Sequence, residues 1–199
     1  MLENLSTQEL QDLKNARVLY YDFFYGLFVF ELLEERESLI KEQISLLKTS
    51  PLSPEGEENF ILLERMLQDN YKALQEEYSS LFALPFGKKQ VGMHLSHFYE
   101  NCIGGESLLK MRAFIRESDI RVQTQTFKET EEHIGFIFGF LKDLLQKDNE
   151  KLAKEVFNFS KEAMFKLIQE IQERKDTKIY PTLSYLLEDF LKFEENIFA

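Results

Sequence analysis

Three short constellations in this chain combine residue types that do chemistry. The first is Glu129, Glu132 and His133, at the head of ETEEHIGFIFGFLKDLL, Glu129 to Leu145. Two carboxylates beside an imidazole can attract a cation and orient a carboxylate or a peptide carbonyl. The plain alternative is that the acids complement the start of a helix dipole and the histidine packs locally. The second is YSSLF, running from Tyr78 to Phe82 just ahead of a Pro/Gly loop. Tyr78, Leu81 and Phe82 offer aromatic and aliphatic surface, either to a ligand groove or to the end of a core helix. The third is His94 and His97 on one helical face, with Glu100 and Cys102 nearby, a set that suggests zinc. It has no clear fourth ligand, so these side chains read as exposed or partly packed polar groups, and no metal or other cofactor is expected.

Other reactive patterns are absent. A phosphate loop needs Gly-x4-Gly-Lys-Ser/Thr, but around Gly87-Lys88 the first glycine is replaced by Phe82 and the hydroxyl by Lys89. A di-iron bundle needs paired Glu-x-x-His, and Val91, His94 and Thr130 stand three before the three histidines. The single cysteine, Cys102, reads as a small buried thiol rather than a nucleophile. No enzyme is expected.

Composition narrows the class further. The 199 residues carry a formal net charge of −11, which disfavours nucleic acid as a partner. With 19 Phe, 8 Tyr and no Trp, the chain has rings enough for a substantial core and an apolar groove beside it. One cysteine permits no intramolecular disulfide, in keeping with a reducing compartment. The opening MLENLSTQEL lacks the basic start and apolar run of a secretory signal, and the run Phe23 to Phe30 is too short to span a bilayer. A cytoplasmic chain without membrane insertion is the expectation.

The elements that must position these residues are all helical. Ser6 and Glu9 make a capping box for a first helix, Thr7 to about Glu35, in which Gly26 permits close approach of another helix. A second helix follows from Glu37 to Leu47. Ser53 as N-cap and Pro54 at the first position open a third, reaching Phe82 with a break near Asn70. Short helices are expected at His94–Cys102 and Glu106–Glu117, then a polar connector from Ser118 to Lys128. In the helix after it, Ile134, Ile137, Phe138, Leu141, Leu144 and Leu145 form one buried stripe that Phe136 and Phe140 widen. Its N-cap is Thr126 or Thr130. Asp148 caps a long helix from about Asn149 to Lys175, and a last helix runs from about Pro181 to Phe198. No alternating strand pattern occurs, so the fold class is all-α.

At these positions the chain resembles the TorD/DmsD/NarJ-type family of chaperones for molybdoenzyme maturation. ARVLYYDFFYGLF is similar to the family's opening Arg-x-x-Tyr and aromatic run. YSSLF fits its aromatic-x-x-Leu-Phe motif, ETEEH stands where the family has Glu-x-x-Asp-His, and IYPTLSYLLEDFLKFEE is similar to its closing helix. In this chain the usual Pro-Asp-His reads Glu131-Glu132-His133, and the loop from Phe86 to His97 matches poorly. The resemblance implies a TorD-like multi-helix domain over residues 1–199. Its N-terminal half would be about 1–117, its hinge 118–128 and its C-terminal half about 129–199.

The resemblance further implies a cytoplasmic chaperone that binds the twin-arginine signal peptide or N-terminus of a molybdenum- or tungsten-containing oxidoreductase subunit. It would hold that apo-subunit while the cofactor is inserted, before export, as a monomer or a domain-swapped dimer. Glu129, Glu132, His133, Tyr78, Leu81 and Phe82 are the expected peptide-binding residues. The alternative is a helical interaction module that binds another amphipathic segment and has no role in molybdoenzyme maturation.

Overall fold

The computed structural model describes residues 6–83, 89–121 and 127–199. The first helix, α1 (Thr7–Leu27), starts where the sequence places it. Ser6 Oγ accepts the Glu9 amide, and the Glu9 carboxylate accepts the Ser6 amide at 2.7 Å. The continuous helix expected to Glu35 is interrupted. The chain leaves α1 at Phe28, passes through an extended Val29, and resumes as α2 (Phe30–Glu35). A distant side chain makes this break tolerable, because the buried Tyr180 hydroxyl donates to the Leu27 carbonyl at 2.7 Å and satisfies a carbonyl the helix leaves open.

Next come α3 (Glu37–Leu47) and α4 (Pro54–Asp69), the latter capped by Ser53 as expected. The break near Asn70 separates α4 from α5 (Lys72–Tyr78), which widens into a π turn at Ser79–Ala83. The expected Pro/Gly stop at Pro85 and Gly87 lies outside the described residues. Two short helices, α6 (Leu95–Glu100) and α7 (Glu106–Glu117), precede the connector, of which residues 122–126 lie outside the described ones, Thr126 among them.

The apolar stripe forms α8 (Ile134–Gln146), and its N-cap is His133 rather than either threonine. Asn149, not Asp148, caps α9 (Glu150–Gln172); Asp148 sits at φ 57° and pairs with Lys14. The last helix, α10 (Ile179–Phe198), begins two residues before Pro181. Its first turn is held by Glu77, whose carboxylate accepts the amides of Lys178, Ile179 and Tyr180 at 2.8, 2.8 and 3.1 Å.

At the centre α1 lies against α8, and α10 packs on α4 and α9. Two glycines set the α1–α8 approach: a Cβ at Gly135 would stand 2.3 Å from the Phe28 carbonyl oxygen, and one at Gly139 2.9 Å from the Tyr25 ring. Rings interlock through this core, with Phe190 at 4.9 Å from Tyr20 and 4.8 Å from Tyr21, and Phe28 at 5.7 Å from Tyr180. One ionic cluster is buried within it. Arg17 donates to both oxygens of Glu194 at 2.7 and 3.1 Å, Tyr21 donates to Glu194 at 2.7 Å, and Glu150 completes the guanidinium's partners. Among the described residues there is no strand, only an isolated antiparallel bridge between His94 and His133.

Candidate functional site

That bridge is the structural origin of the site. The Leu95 amide donates to the Glu132 carbonyl at 3.1 Å and the Ile134 amide to the Met93 carbonyl at 2.8 Å. Two extended segments distant in sequence are thereby stitched together just before α6 and α8. The segment leading into His94 is tied in turn to the π turn, through the Val91 amide on the Leu81 carbonyl at 2.9 Å and the Gln90 side chain on the Phe82 carbonyl. A π turn shifts the side chains that follow it around the helix axis, and such turns recur at functional positions.

These segments and the start of α2 enclose an open cavity of about 430 Å³. Its apolar wall is built by Val29, Phe30, Tyr78, Phe82, Met93 and Phe127, with Ile103 at the edge. Phe30 and Ile103 are 45% and 69% exposed, unusual for such large apolar side chains, and they leave the mouth greasy. The polar lining is Glu31, Ser79, Gln90, His94, Glu129 and His133.

The electrostatics favour a cation. His94 Nε2 lies 3.3 Å from the Glu129 carboxylate, and this neighbour is the main cause holding Glu129 below the usual carboxylate range. His133 is buried, and its Nδ1 accepts the Gly135 amide at 3.1 Å, so the neutral ring carries its proton on Nε2. Burial, and then the charge of His94, push the His133 imidazole down to about 3, so it brings no positive charge to the cavity near neutral pH. The Tyr78 phenol is raised by burial first, then by the charges of Glu129 and Glu31, so both carboxylates act on one point of the wall.

Of the six side chains expected to bind a peptide, four meet here: Tyr78, Phe82, Glu129 and His133. The other two do not line the cavity. Leu81 is fully buried in the core on the inner side of the π turn. Glu132 is fully buried as well, its carboxylate accepting the Ser96 amide at 2.8 Å and the Gly104 amide at 2.7 Å. Its carboxylate is thus committed to ordering the start of α6 and the turn after it, and burial keeps it away from the cavity. Glu131 pairs with Arg112 at 3.1 Å. Phe30 and Glu31 were hidden inside a helix expected to be continuous, and Phe127 inside a polar connector.

The histidines of the suspected zinc set have separate partners. His97 packs edge-on to Phe98 at 4.9 Å, while His94 faces Glu129. The Glu100 carboxylate accepts the amides of Glu106 and Ser107 at 2.6 and 2.9 Å, at the start of α7. Cys102 is exposed, not buried as expected. Among the described residues no group of three His, Cys, Asp or Glu side chains is placed to hold a metal ion.

A family model described as the nitrate reductase delta subunit matches residues 50–180, about two thirds of the chain. The chain belongs to that family. It is the NarJ/TorD type of chaperone family, and this nitrate reductase delta family member is in general terms a molybdoenzyme maturation chaperone that binds a molybdoenzyme subunit. The family is not catalytic. The match takes in the π turn, the His94 segment and Glu129 to His133, but it leaves out Val29 to Glu31, which also line the cavity. No curated protein and no solved structure matches the chain. Among the described residues no helix is long and apolar enough to cross a membrane.

Proposed function

We propose that this chaperone works in the cytoplasm, where it binds the twin-arginine leader, or the equivalent N-terminus, of a molybdenum- or tungsten-containing oxidoreductase subunit. It does so in the cavity between the π turn, α2 and the His94–His133 bridge, holding the subunit until its cofactor is in place. One observation supports this reading most: an apolar, aromatic hollow of about 430 Å³ with Glu31 and Glu129 on its wall and no lysine or arginine among its described lining residues. Such a site accepts a greasy segment next to a positive one.

Magnitudes divide the work. Each buried leucine or phenylalanine of the leader contributes about 1.5–3 kcal/mol before ordering costs, whereas an exposed arginine–carboxylate pair contributes only about 0–1 kcal/mol. Apolar burial therefore supplies affinity, and the two acids set direction and register.

Calorimetry with a synthetic peptide, an arginine pair ahead of a leucine run, tests the assignment. Phe30→Ala trims a half-exposed side chain at the cavity mouth, so the fold survives, and peptide affinity falls roughly five- to tenfold. Glu129→Gln lowers affinity less, and only for the arginine peptide, not for its glutamine counterpart. Unchanged affinity in both variants, with helix content intact, removes the cavity as the binding site.

A further inference from the structure

Glu31 and Glu129 both line the cavity, but they differ in what their carboxylates have left to offer. One oxygen of Glu129 faces His94 Nε2 at 3.3 Å, the contact that does most to hold this group below the usual carboxylate range. His94 is kept in place by the backbone on either side of it, where the Met93 carbonyl accepts the Ile134 amide and the Leu95 amide donates to the Glu132 carbonyl. Glu129 therefore has one oxygen left for a ligand. Glu31 makes no hydrogen bond or ion pair with any described residue, so both of its oxygens are open. It is half-buried in the first turn of α2, next to Phe30, whose ring lies 5.3 Å from that of Tyr78. The Tyr78 phenol, raised by burial and then by Glu129, is raised by Glu31 as well. The open carboxylate thus belongs to the aromatic wall of the cavity.

We propose that Glu31 is the specificity-determining acid of the cavity and selects arginine over lysine, while Glu129 serves either cation alike. This rests on the peptide-binding reading above and names the residue that chooses the cation. A guanidinium is a planar fork that bonds both oxygens of an open carboxylate through two parallel N–H groups, and an ammonium is a point charge that does not. Glu31 can be gripped in that way. Glu129 cannot while His94 occupies one of its oxygens, and the remaining oxygen takes a single N–H from either side chain. Because Phe30 and Tyr78 adjoin Glu31, an arginine held there leaves the apolar part of the same peptide against these two rings.

The test is calorimetry with three peptides that carry an arginine pair, a lysine pair or a glutamine pair ahead of one leucine run. The wild-type protein binds the arginine peptide roughly two- to fivefold more tightly than the lysine peptide, and the glutamine peptide most weakly. Glu31→Gln, which breaks no contact with a described residue and keeps its helix content by circular dichroism, binds the arginine and lysine peptides equally. Glu129→Gln weakens both by the same factor and keeps their ratio. An arginine preference that survives in Glu31→Gln, or one that disappears in Glu129→Gln instead, overturns the assignment to Glu31 while leaving the cavity as the binding site. A wild type that binds all three peptides alike does the same. Failure of the wild type to bind any of the three overturns the binding reading, and the role of Glu31 with it.

Discussion

Replacing Glu132 should damage the fold rather than the recognition of a ligand. In Glu132→Ala the buried Ser96 amide loses its acceptor, and the Gly104 amide keeps only a weaker contact with Ser96 Oγ at 3.2 Å. Hydrogen bonds to a charged acceptor contribute about 1.5–3 kcal/mol each, and the Gly104 amide recovers part of its share from solvent and Ser96. The net loss is therefore about 2–4 kcal/mol. For a chain of this length that corresponds to a melting temperature lower by roughly 5–12 °C. Glu132→Gln keeps one carbonyl oxygen as acceptor and should recover about half of the loss.

Urea and thermal denaturation followed by far-ultraviolet circular dichroism measure the effect, and calorimetry below the transition measures peptide affinity in the same variants. The expected pattern is a lower midpoint with affinity nearly unchanged once the folded fraction is considered. A Glu132→Ala protein with the wild-type midpoint and a weakened grip on the arginine peptide would refute the reasoning. It would return this carboxylate to the binding surface.

Two further outcomes follow from the same geometry. The His133 imidazole is depressed from 6.5 to about 3 in the folded chain, so as pH falls through about 6.5 the unfolded chain takes up the proton first. Stability from this group is complete above that pH and lost progressively toward pH 3, with a ceiling of about 5 kcal/mol. His133→Asn keeps an N-cap acceptor for Gly135 and should show a shallower acid loss in denaturation midpoints measured between pH 4 and 7 (roughly the interval where the two chains differ). Gly135→Ala places a methyl group 2.3 Å from the Phe28 carbonyl oxygen and forces α1 and α8 apart. A loss of at least about 1–3 kcal/mol is expected, and a wild-type urea midpoint would show that the two helices can separate freely.

The fold was largely legible because its signals are local. Ser6 with Glu9, and Ser53 with Pro54, satisfy helix starts from within four residues, and the stripe from Ile134 to Leu145 announces its buried face by spacing alone. The misplaced boundaries share a different cause. The break after Leu27 needs a hydroxyl from Tyr180, and the early start of α10 needs the carboxylate of Glu77 about a hundred residues away. A cap supplied by tertiary contact leaves no local trace.

The site was half legible for the same reason. Glu129, Glu131 and Glu132 look interchangeable in sequence, but they lie in a non-helical turn where neighbouring side chains diverge. One faces the cavity beside His94, one pairs with Arg112, and one points into the body to hold Ser96 and Gly104. Which acid takes which role is decided by partners between His94 and Arg112, distant from the acids in sequence. The same dependence ties function to folding here. The His94–His133 bridge holds two distant cavity-lining segments together, and the Glu132 side chain beside it is spent on Ser96 and Gly104. A change that leaves every cavity-lining side chain in place but removes Glu132 should therefore cost stability before it touches any ligand contact.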